Sequence, residues 1–155
     1  MAVPVKLKDL VEELTLQFDE GALYLNRQTG EVVYIRPEEL RAAEENEPLE
    51  DFPEWQHANI RIAKDLLDTD HYLPLPTKFD IHEYHVMERF CASVEDADIR
   101  DDLCDAIRGR GAFRRFKDSI QAYGIAEAWY RYRDTALREI AVAWCEAHGL
   151  RYTET

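Results

Sequence analysis

The sequence predicts an α+β protein, mainly α, with an N-terminal helix and β-hairpin followed by a five-helix C-terminal region. Three observations carry that prediction. Two β-rich runs, Ala22-Leu23-Tyr24-Leu25 and Glu31-Val32-Val33-Tyr34-Ile35, flank Asn26-Arg27-Gln28-Thr29-Gly30, the pattern of a hairpin whose glycine takes a positive φ. From Trp55 onward, apolar residues recur at spacings of three and four, the period of a helix. The connectors between those patterns are short, so successive helices are expected to pack on each other. A chain of 155 residues can bury one core without disulfides, which predicts a single domain: residues 1–50 form the α/β-hairpin part and 51–150 the helical part.

Taken in order, residues 6–18 place Leu7, Leu10, Val11, Leu14 and Phe18 on one side and Asp9, Glu12 and Glu13 on the other, an amphipathic helix that frays at Thr15. A lone hairpin is marginal in water and needs more strands. Tyr72-Leu73-Pro74-Leu75-Pro76 is an extended candidate that its prolines confine to an edge or a loop. A second copy pairing at the hairpin edge would make a homo-oligomer. Pro37 suits the first position of a helix through Ala43, and Glu44-Glu45-Asn46-Glu47-Pro48-Leu49-Glu50-Asp51 then reads as a solvated acidic connector or a dock for a basic partner. Asp51 is placed to cap a helix that carries Trp55, Ala58, Asn59, Ile62, Ala63, Leu66 and Leu67 along one side and ends near Asp68. Asp80 and Glu83 have capping-box spacing and open a helix through Ile81, Tyr84, Met87, Phe90, Cys91 and Val94.

Ile99, Leu103, Ala106 and Ile107 form the next helical face, which Gly109 ends in a left-handed conformation. A helix over residues 111–123 follows, with Phe113, Phe116, Ile120 and Tyr123 expected inward. The last helix spans residues 125–148, with Ile125, Trp129, Tyr132, Ala136, Ile140, Ala143 and Ala147 as its stripe, widened by Leu137, Ala141 and Trp144.

The net charge of −13, from 32 acidic and 19 basic side chains, repels phosphate at long range and argues against general nucleic-acid affinity. No stretch has the length of a membrane span, and the N-terminus lacks a signal core, so the protein is expected in the cytoplasm. Cys91, Cys104 and Cys145 are odd in number, lack metal-site spacing and lie on or beside apolar faces, as structural thiols do.

Against that acidic background one segment is cationic and aromatic: Gly109-Arg110-Gly111-Ala112-Phe113-Arg114-Arg115-Phe116-Lys117-Asp118. Arg110, Arg114, Arg115 and Lys117 gather near a helix N-terminus, and Arg131 and Arg133 follow on the last helix. Together these six could bind a phosphate, a carboxylate-rich peptide or an RNA backbone, with Tyr123, Tyr130 or Tyr132 for stacking. The alternative is internal pairing with Asp101, Asp102, Asp105, Asp118, Glu127 and Asp134. His82 and His85 are weak metal candidates, three apart where the zincin pattern requires four, so no metal or other cofactor is expected. Neither a dinucleotide-binding glycine pattern nor a Walker loop is present.

The Gly109 to Asp118 block, with Met87-Glu88-Arg89-Phe90 upstream and Trp129-Tyr130, Ala136-Leu137-Arg138-Glu139-Ile140-Ala141 and Trp144-Cys145 downstream, resembles a family of small uncharacterised bacterial proteins. The resemblance covers residues 55–150, the hairpin matching only loosely. It implies a bacterial origin and a self-contained fold, and carries no catalytic residue. The function expected is a non-enzymatic interaction or regulatory module with a protein partner, basic where it meets the acidic exterior. RNA or phosphorylated-ligand binding through residues 110–117 is the alternative, and a metal-dependent enzyme using His82 and His85 the second.

Overall fold

A computed structural model describes residues 3–16 and 21–154. The fold is α+β and mainly helical, and the chain divides into two compact units: one runs to Thr77 and resumes at Ala141, the other is Lys78–Ile140.

In the first unit β1 (Val5–Lys6) leads into α1 (Leu7–Thr15), whose Leu7, Leu10 and Leu14 are buried as their spacing requires. Phe18, expected on the same face, lies outside the described residues. The hairpin forms from β2 (Ala22–Asn26) and β3 (Val32–Ile35). β4 (Tyr72–Pro74) pairs antiparallel with β2, so the strand order is β3-β2-β4 and the proline-containing strand takes an edge. A short parallel pair joins β1 to β5 (Tyr152–Thr153).

Pro37 opens α2 (Pro37–Glu44), which packs on α3 (Glu54–Asp68). Asp51 does not cap α3: it closes a 3-10 turn over Leu49–Asp51, and Pro53 stands at the cap position without a side-chain hydrogen bond. The buried face of α3 is also rotated from expectation, to Gln56, Ile60 and Ala63, leaving Trp55 62% exposed beneath the Arg36 guanidinium at 5.0 Å from its ring. The rotation follows from a polar anchor. Glu39, fully buried, accepts hydrogen bonds from the Arg36 backbone N–H at 2.9 Å, Asn59 Nδ2 at 3.2 Å and Gln56 Nε2 at 3.4 Å. Asn59 also donates to the Tyr34 carbonyl, tying α3 to β3. A buried carboxylate is tolerated only with such partners.

The second unit holds α4 (Lys78–Ile81), α5 (Glu83–Ser93), α6 (Ala97–Ala106), α7 (Ala112–Ala122) and α8 (Ala126–Ala147) through Ile140. The single helix expected from Asp80 is broken, because His82 adopts a left-handed conformation with φ of 53° and separates α4 from α5. The capping box of Asp80 and Glu83 therefore does not form at the start of α5. Asp96 caps α6 by accepting from the Asp98 and Ile99 N–H groups. Phe90, Phe116 and Trp129 meet edge to face at the centre of the core, with Phe116 and Trp129 centroids 4.9 Å apart. On α8 the buried residues are Trp129, Ala136, Leu137, Ala141 and Cys145, while Ala143 and Ala147 of the expected stripe are exposed.

Candidate functional site

The turn between α6 and α7 is built by side chains. Gly109 and Gly111 both take positive φ, near 75°, and Gly111 has a further reason to lack a side chain. A Cβ there would stand 3.1 Å from Arg115 Nη1. Arg115 folds back along this path and donates from Nε to the Ala106 carbonyl at 2.8 Å and from its two terminal nitrogens to the Arg110 and Arg108 carbonyls. Tyr84 on α5 donates to the Ile107 carbonyl at 2.8 Å. Arginine and tyrosine thus satisfy the carbonyls that the end of a helix leaves open, and the guanidinium complements the negative end of its dipole.

With Arg115 folded back over the exposed turn, the buried stripe of α7 is Ala112, Phe116 and Ile120. Phe113 and Tyr123, expected in the core, are exposed by 46% and 39%. Phe113 rests edge to face on Tyr84 at 6.4 Å. Tyr123 instead donates to Asp102, and this contact to a carboxylate holds its phenol above the ordinary value of 10.0. Arg114 lies on the face of α7 away from Phe116, with Lys117 three residues further along the same side, while Arg110 stands in the turn before the helix.

The six candidate cations therefore separate. Arg115 holds the turn. Arg133 Nε stands 2.8 Å from Glu83 Oε1, an ion pair not aligned as a hydrogen bond, and Arg131 meets Glu127 at 3.6 Å in water. The side chains of Arg110, Arg114 and Lys117 make no hydrogen bond or ion pair among the described residues. Sequence reasoning could not sort these six, since arginines one residue apart carry the same local signal. Arg89 and Arg108, not singled out by it, line a groove of about 740 Å³ with Tyr84, His85, Glu88 and Cys104. Arg108 pairs with Asp105 only at 3.7 Å on the surface.

His82 and His85 lie 5.4 Å apart by ring centroid, and His85 Nδ1 is 2.9 Å from Glu88. His57 is on the Phe52 carbonyl and His71 on Asp65. Among the described residues no three histidine, cysteine or acidic side chains are grouped as metal ligands. The three cysteines are free, and burial pushes the Cys91 and Cys145 thiols from 9.0 up to about 11.

A known protein family covers residues 2–154, described as Uncharacterised protein family (UPF0158). The chain belongs to UPF0158. A relative, UPF0158 protein PA5073 from Pseudomonas aeruginosa, is 30% identical over 148 residues, covering 91% of this chain and 83% of the relative. No solved structure matches the chain. The UPF0158 match extends across the N-terminal hairpin as well as the helical part, further than the sequence resemblance reached. Among the described residues no helix is long and apolar enough to cross a membrane.

Proposed function

We propose that the protein is a non-enzymatic interaction or regulatory module whose contact surface is the cationic and aromatic face of Arg110, Phe113, Arg114 and Lys117, backed by Tyr84. The observation that carries this reading is the outward position of Phe113. A phenylalanine nearly half in water, braced by a second aromatic ring and bordered by three unpaired cations, has the composition of an interface hot spot. Arginine and aromatic side chains dominate such centres because one anchors by area and the other by directed hydrogen bonds. The partner at this face is an anionic protein surface.

Recognition of RNA or a phosphorylated ligand would use the same three cations. The charge of −13 counts against it, because the summed field opposes a polyanion before local contacts form.

Capture from a bacterial lysate with the tagged protein, with and without nuclease, tests both. The protein reading expects a stoichiometric partner that survives nuclease and is lost from a Phe113→Ala/Arg114→Ala variant with an unchanged melting temperature. Nucleic acid recovered in a salt-sensitive manner would favour the second reading, and a partner retained by the variant would overturn the first.

A further inference from the structure

Resting on that reading, we infer that the occupant of the cationic face is a second copy of this chain, which presents its acidic segment, residues 44–51. Each half of the contact is visible. The receiving half is the groove lined by Arg89, Arg108 and Tyr84 alongside Glu88; the Tyr84 ring meets Phe113 on α7, which the unpaired Arg110 and Arg114 flank in sequence. Its volume admits several side chains.

The inserting half is Glu44-Glu45-Asn46-Glu47-Pro48-Leu49-Glu50-Asp51, in which Glu44, Glu45, Glu50 and Asp51 are exposed and Leu49 is half-buried. Its carboxylates are crowded: a hydrogen bond that the protonated Glu47 carboxyl donates to Glu45, with the charges of Glu45 and Asp51, holds Glu47 above its ordinary 4.5, Arg41 opposing more weakly. Arginines from outside would relieve that repulsion. Leu49 supplies an apolar anchor for the aromatic end of the groove.

A contact between two different patches of one chain either propagates or closes on itself. When two copies exchange it reciprocally, it is made twice about a twofold axis and leaves neither patch open. The mutual repulsion of two chains of charge −13 acts at long range and is screened over about 8 Å at physiological ionic strength, whereas carboxylate and guanidinium in contact are closer than that.

The test uses the full chain in sedimentation velocity at several concentrations. The expected result is a concentration-dependent dimer that dissociates in about 1 M salt. Arg110→Glu with Arg114→Glu should weaken dimerisation at least ~tenfold, as should Glu45→Lys with Glu47→Lys, because each places like charges in contact. All four substitutions in one chain should restore the dimer, an outcome that damage to the fold would not produce. A wild-type monomer at every concentration overturns the inference, as does a dimer indifferent to both reversals or one not restored by their combination. If the purified chain is monomeric while lysate capture still depends on Phe113 and Arg114, this inference fails and the interaction reading stands. If capture is also indifferent to that face, both fail.

Discussion

Arg114 and Arg115 are adjacent, identical in chemistry and both exposed, yet the structure assigns them opposite consequences. Arg115→Ala removes three charge-assisted hydrogen bonds to the carbonyls of Ala106, Arg108 and Arg110. Such bonds contribute about 1.5 to 3 kcal/mol each when dry, but water can replace the guanidinium at this open turn, so we expect a total near 2 kcal/mol. For a chain of this length that loss corresponds to about 6 °C in melting temperature. Arg114→Ala should stay within about 0.5 kcal/mol, as a surface substitution without partners does. Arg115→Lys should recover little, because an ammonium lacks the fork that reaches several carbonyls at once. Gly111→Ala should also destabilise, through its positive φ and its contact with Arg115 Nη1, and should cost less in the Arg115→Ala background than alone. Urea and thermal unfolding of the variants measure all of this. Equal effects at positions 114 and 115 would refute the division of these arginines into a turn clamp and a free surface.

The same unfolding assays should separate the two phenylalanines of α7. Phe116→Ala, at the centre of the aromatic core, should cost about 3 to 5 kcal/mol, and Phe113→Ala less than about 1 kcal/mol. Glu39→Ala should cost about 3 kcal/mol, because it strands the donors on Asn59, Gln56 and Arg36 in a buried site; a loss below 1 kcal/mol would show that water reaches them. At pH 8 a thiol reagent should titrate Cys104 in the native protein and all three cysteines after denaturation, since the Cys91 and Cys145 thiols are buried and pushed up to about 11. Their linkage also has a sign. Between 9 and 11 the unfolded chain loses protons that the native chain keeps, so these thiols make stability fall as pH rises through that window, which denaturation at pH 8 and pH 10 would measure.

Much of the fold is legible in the sequence because the hydrophobic period and the turn chemistry agree. The hairpin, its proline-limited third strand at Tyr72–Pro74, the start of α2 at Pro37 and the stop at Gly109 all follow from local rules. Where expectation and structure part, a longer-range partner has displaced a local one. Asp51 is engaged in a 3-10 turn before it can cap α3, and Glu83 faces Arg133 from α8 instead of completing a box with Asp80. The buried face of α3 follows Glu39, whose burial could have been suspected from its place three residues after Arg36, where a glutamate reaches back to the N-cap amide. Phe113 was interchangeable with Ala112 by period alone, and only the packing of α7 on the aromatic core decides between them. The β1–β5 pair joins two-residue strands from opposite ends of the chain and leaves no pattern to read.

The interaction face is tested most directly by placing the photo-crosslinking residue benzoylphenylalanine at position 113 in living bacteria and, for comparison, at position 130, where Tyr130 is more exposed still. A discrete protein adduct is expected from position 113 that disappears with Arg114→Glu and has no counterpart at position 130. No adduct at 113, or the same adducts from both positions, would contradict it.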